Sequence, residues 1–134
     1  MREMNACQQR MIDAFSSEKV LSVVMAPRRF GKTAAGAHWC AAARATGKDV
    51  IALQPNARAA RMFEDLSGVP TYSSYDVPES LSGKTIFVDE AANLKEQIWA
   101  KRLLPALRKG GIRVVAVNPS LDGIGGIDAD VTRM

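Results

Sequence analysis

The sequence predicts an α/β domain, a three-layer sandwich in which helices cover both faces of a mainly parallel sheet. Four short stretches, "VLSVVMA" at 20–26, "DVIALQP" at 49–55, "TIFVDEA" at 85–91 and "IRVVAVNPS" at 112–120, are apolar along their length rather than alternating. Strands buried on both faces have that pattern. Segments of helical character separate them, and strand–helix alternation leads to parallel pairing. Glycine-containing breaks fall between the two kinds of segment, as at "TGK", 46–48.

Taken in order, residues 5–17 place Met11, Ile12 and Phe15 at helical spacing, predicting a first helix. The first strand follows at 20–26. The Ala-rich run "KTAAGAHWCAAARA" predicts a second helix, ended near Gly47. After the second strand, "NARAARMFEDL" predicts a helix with Asn56 as its N-cap. Residues 67–84, rich in Ser, Pro and Gly, predict a loop with a short strand in "TYSSYDV". The third strand leads into one helix through "NLKEQIWAKRLLPALRKGG", and the fourth strand into a glycine-rich tail, 121–134, with too little apolar content for a further element.

At 134 residues the chain has room for one domain with an ordinary core. No apolar run approaches the roughly 18–20 residues that span a bilayer, and the N-terminus lacks a signal-peptide core, so a cytoplasmic location is expected. Cys7 and Cys40 have no CxxC spacing and are expected as reduced thiols on helices. His38 is the single histidine, which excludes a histidine-based metal cluster and a Ser-His-Asp triad built on a second one. His38, Trp39, Trp99 and Leu103 are expected to pack. The formal net charge of +4 suits a polyanionic partner and an ordinary basic surface equally.

The chemistry concentrates in two motifs. "APRRFGKT", Ala26 to Thr33, fits the phosphate-loop pattern G-x-x-x-x-G-K-[ST] except that alanine stands first. It lies between a buried strand and a helix start, where backbone N–H groups and the helix dipole favour an anion. Gly31 lets the backbone approach phosphates, Lys32 reaches the β and γ oxygens, and Thr33 ligates Mg²⁺. Pro27, Arg28, Arg29, Phe30 and Ala34 complete the candidate ATP-binding loop. "TIFVDEAA" ends a strand on two acids: Asp89 to hold Mg²⁺ through water, Glu90 to orient or deprotonate the attacking water.

Two weaker signals flank these. Gln8 or Gln9, just before the first strand, offers an amide that reads an adenine edge. Asn118, in "VVAVNPS", is either a sensor of the γ-phosphate or part of a plain turn. Of Arg28 and Arg29, one would act as an arginine finger supplied in cis; the other reading is a pair of solvated or DNA-facing charges. Lys101, Arg102, Arg108, Lys109 and Arg113 cluster around the end of the last helix, where dipole complementarity and solvation account for them; the other reading is phosphate contact to DNA.

"APRRFGKT", with arginine four residues before Lys32, then "VDEAANL", then a strand ending "NPS", resembles the ATPase domain of the large terminase subunit of tailed bacteriophages. The resemblance spans roughly residues 5–120 and rests on these short motifs. It implies a RecA-like P-loop fold of the additional-strand kind. Numbering the four strands above one to four, their expected order across the sheet is 2-3-1-4. It implies ATP–Mg²⁺ hydrolysis with Arg28, Lys32, Thr33, Asp89 and Glu90 catalytic, and Asn118 to Ser120 coupling hydrolysis to movement of double-stranded DNA. A homo-oligomeric ring or larger motor with portal and capsid proteins would be the partner assembly, in the host cytoplasm. The chain is several times shorter than such subunits, so their nuclease is not carried over. "MNACQQRMI" also looks like the glutamine motif of superfamily 1 helicases, although "NPS" replaces their Gly-Asp-x-x-Gln. A nucleotide-binding accessory module that no longer hydrolyses is the third reading.

Overall fold

The computed structural model describes residues 5–27 and 31–134. Its elements are α1 (Ala6–Phe15), β1 (Leu21–Met25), α2 (Lys32–Ala45), β2 (Val50–Gln54), α3 (Ala57–Ser67), β3 (Thr71–Ser73), β4 (Thr85–Val88), α4 (96–109), β5 (Arg113–Val117) and β6 (Ala129–Arg133). All six strands are parallel, in the order β3-β2-β4-β5-β1-β6. This is the α/β architecture that the apolar strands predict, and its parallel sheet suits the RecA-like fold that the resemblance implies.

The side-chain period of two sorts each strand between two cores. Val24, Val50, Ala52, Phe87, Val115 and Val117 face a cluster with α1, α2 and α3. Val23, Ile51, Leu53, Val88, Val114 and Ala116 face the other, where α4 supplies Ile98, Trp99, Leu103, Leu104 and Leu107. The first core is knit by aromatics: Phe87 stacks on Phe63 at 5.5 Å between centroids and meets Phe15 edge-on, also at 5.5 Å. Each such pair contributes about 0.5–1.5 kcal/mol beyond its area. Trp39 and Trp99 are both buried, Leu103 with them, and His38 is half-buried. Cys7 and Cys40 are free thiols on α1 and α2, and burial pushes the Cys40 thiol pKa far up, leaving it inert.

Helix ends follow the sequence closely. The Asn5 side chain accepts from the Gln8 N–H while the Gln8 side chain accepts from the Asn5 N–H, a capping box. Asn56 caps α3 by accepting from the Ala59 N–H.

Three expectations need correction. The strand at 113–117 lies between β4 and β1, so the four strands run 2-3-4-1, not 2-3-1-4. Val114, Val115, Ala116 and Val117 are fully buried, and only an interior position covers both sides of such a strand. The tail does form an element: β6 pairs with β1, Leu21 opposite Ala129 through Met25 opposite Arg133. An edge strand needs backbone partners more than apolar content. The helix after the acids is also not one regular run. A 3₁₀ turn, Ala91–Asn93, precedes α4, and α4 contains a π turn, Trp99–Leu103, in which the Leu104 N–H reaches the Trp99 carbonyl. Pro105 follows at once; its missing N–H and its ring disturb the preceding turn of any helix that carries it.

The basic residues near α4 do more than face solvent. Arg102 donates to the Pro78 and Glu79 carbonyls, Arg108 to those of Gly123 and Gly125, and Arg113 to those of Phe15 and Ser17. Arg102 and Arg108 hold two loops to α4, and Arg113 holds the end of α1 to β5. Among the described residues no helix is long and apolar enough to cross a membrane.

Candidate functional site

Parallel strands deliver their carboxyl ends to one edge, and there β1, β2, β4 and β5 present the polar residues of the chain's motifs. The described part of the phosphate loop joins β1 to α2 in three steps. Ala26 is buried, Pro27 exposed, and Gly31 opens α2 as its N-cap with φ of 65°. Two features favour glycine at 31. The left-handed backbone favours it, and a Cβ there would sit 2.4 Å from the Gln8 side-chain nitrogen. Arg28, Arg29 and Phe30 lie outside the described residues.

Lys32 and Thr33 occupy the first turn of α2, and Ala34 follows, half-buried. The Lys32 ammonium is buried and ion-paired with Glu90. A buried cation without a counter-ion is strongly unfavourable, so in the ligand-free chain Glu90 supplies the charge. Thr33 Oγ1 donates to Asp89 Oδ2 at 3.1 Å. Residues 56 positions apart in sequence therefore meet at one point.

Asp89 is 3% exposed. Burial pushes its carboxyl pKa up; hydrogen bonds from Gln54 and Thr33 pull it back, the neighbouring Glu90 charge raises it, and Lys32 lowers it. Oδ2 accepts from both Thr33 and Gln54, whereas Oδ1 is buried without a partner among the described residues. Glu90 takes a left-handed backbone, φ 49°, that ends β4 and starts the 3₁₀ turn, its carbonyl accepting from the Asn93 N–H at 2.8 Å. A non-glycine residue there costs about 1–3 kcal/mol and concentrates at functional sites.

Asn118, the second non-glycine residue at positive φ, closes the group. Its side chain accepts from the Ala26 N–H and donates to the Ala26 carbonyl, both at 2.8 Å. Its backbone N–H donates to Val24 and its carbonyl accepts from Ala92. Asn118 thus clasps the start of the phosphate loop, where alanine replaces the usual glycine, and ties it to the turn after Glu90. Gln8 Nε2 donates to the Gly31 carbonyl at 3.2 Å, placing α1 against the loop. Gln9 instead donates to Asp13 on its own helix. The residues brought together are thus Gln8, Gly31, Lys32, Thr33, Asp89, Glu90 and Asn118.

Sequence reasoning missed Gln54. It ends β2 as Asp89 follows β4, a polar residue closing an apolar strand. A cavity of about 540 Å³ between the carboxyl ends of α1 and α2 carries none of these groups.

No curated protein matches the sequence. Residues 3–119 match the family model described as an AAA domain, a span containing every site residue above. With the parallel sheet and the loop geometry in place, the chain belongs to the AAA domain family and is a P-loop ATPase domain of that type.

Proposed function

We propose that this domain hydrolyses ATP with Mg²⁺ and works as a motor of the terminase large-subunit kind, coupling hydrolysis to translocation of double-stranded DNA. The observation that carries hydrolysis is the convergence of Lys32, Thr33, Asp89 and Glu90 at one edge of the sheet. The terminase assignment adds the motif resemblance, "APRRFGKT" with "VDEAANL" and "NPS".

The donor set fits Mg²⁺. Asp89 Oδ1, buried and without a partner, and the Thr33 hydroxyl are hard oxygen donors. Among the described residues no three His, Cys, Asp or Glu cluster, which suits an ion that completes its shell with water and phosphate. Bound Mg²⁺ would neutralise charge on the phosphate oxygens. Lys32, at the start of α2, would exchange Glu90 for phosphate oxygens, and the loop N–H groups would hold the chain of phosphates. That exchange frees the Glu90 carboxylate to take a proton from water at a transferring phosphoryl group.

Phosphate release from Mg²⁺–ATP, with and without DNA, is the test. Glu90→Gln should keep nucleotide affinity and lose turnover by about 10²- to 10⁴-fold. Normal turnover in that variant sinks the catalytic assignment. Stimulation by double-stranded DNA supports the packaging motor, and ATP binding without release supports the accessory module. A second reading, a superfamily 1 helicase-like motor, draws on the contact of Gln8 with Gly31; it expects stimulation by single-stranded DNA instead.

A further inference from the structure

Gln54 is the last residue of β2, a strand that is buried along its whole length, and is itself only 4% exposed. Register explains where it points. Leu53 lies opposite Val88, and the Asp89 N–H donates to the Leu53 carbonyl, so the ladder between β2 and β4 runs one step past the strand end. That step sets Gln54 beside Asp89, with Nε2 donating to Oδ2 at 3.3 Å. Thr33 donates to the same oxygen from the other element, α2. Two donors from two rigid elements fix one oxygen, and the second oxygen is left buried and, among the described residues, unpartnered. Thr33, Gln54 and Asp89 together line one end of a groove of about 390 Å³ whose other wall is α3.

We propose that Gln54 is a positioning residue for the metal-binding carboxylate: with Thr33 it pins Asp89 Oδ2, so that Oδ1 is the atom presented to the cation. This rests on the Mg²⁺-dependent nucleotide site proposed above. In that site the Thr33 hydroxyl oxygen also faces the cation, so its orientation answers to the metal as well; the Gln54 amide, whose Nε2 donates to Oδ2, is not itself a metal ligand. A carboxamide buried at a strand end is unfavourable unless paired, and here its pairing partner is the acid.

The test measures Mn²⁺ affinity, by electron paramagnetic resonance, for the full chain saturated with ADP, and separately ADP affinity in excess EDTA. Gln54→Met keeps the length and removes the donor. It should weaken Mn²⁺ binding about 10- to 100-fold, the range for partners that orient metal ligands, while metal-free ADP affinity stays within about twofold. Gln54→Asn retains the amide one methylene short of Asp89 and guards against misfolding of the first variant; it should show the same loss. Mn²⁺ affinity within twofold of the unaltered chain in either folded variant overturns the proposal. So does a parallel fall of both affinities, which marks a merely structural residue. Asp89→Asn separates the underlying reading: if that variant also binds Mn²⁺ normally, the metal site itself is misassigned.

Discussion

The buried carboxylate of Asp89 carries the clearest consequence of any single residue. Burial raises its pKa, so the folded chain holds that proton more tightly than the unfolded chain does. The sign follows from linkage: the contribution of Asp89 to stability is fully present below the unfolded carboxylate pKa and is lost as pH rises through the folded value. Asp89→Asn should therefore raise the melting temperature of the nucleotide-free chain by a few degrees at neutral pH. The gain should vanish towards pH 4, and differential scanning calorimetry across that range reads it. An unchanged gap between the two chains at both pH values would contradict the assigned cause. Lys32, Thr33, Asp89 and Glu90 were legible in sequence because the phosphate-loop pattern and a strand ending on two acids each carry a mechanism. Gln54 was not, since a lone glutamine before "PN" is equally a turn residue until β2 is known to lie beside β4. For Asn118 the sequence leaves a γ-phosphate sensor and a plain turn equally open, and its side chain makes two bonds to the Ala26 backbone.

Among the elements, α2 and β4 approach through Gly36. A Cβ at that position would lie 2.3 Å from Phe87 Cζ, and the ring cannot retreat because Phe15 and Phe63 back it. Gly36→Ala gains about 1 kcal/mol of helix propensity. Overpacking costs about 1–3 kcal/mol where neighbours cannot yield. The clash should win, and urea unfolding should give a lower midpoint with an unchanged slope; a higher midpoint would mean the two elements separate freely. Helices α1, α2 and α3 were visible from their caps and apolar spacing. The π turn in α4 was not, because Pro105 announces a disturbance without saying whether the helix kinks, stops or widens. Strand order was also hidden: each strand records that both its faces are covered, not which neighbour covers them.

For the whole molecule, β6 decides how the loop-bearing strand is supported. β1 is an interior strand only because β6 pairs along it, aided by the Lys19–Asp128 ion pair at 3.0 Å and by Ile127 and Met134 against the two cores. Ending the chain after Gly126 should cost on the order of 2–3 kcal/mol, from three partly buried apolar side chains, Ile127, Ala129 and Met134. A midpoint equal to the intact chain would show that β6 is dispensable. The proposed ATPase requires the ammonium of Lys32 and the acids after β4 to serve one triphosphate. Calorimetric titration of Mg²⁺–ATP into the intact chain, Lys32→Ala and Asp89→Asn tests it most directly. Lys32→Ala should lose about 100-fold or more in affinity, as a buried charged partner of the phosphates is removed. Asp89→Asn should lose only the Mg²⁺-dependent part, binding metal-free ATP as the intact chain does. Equal Mg²⁺–ATP affinity in all three chains would contradict the account.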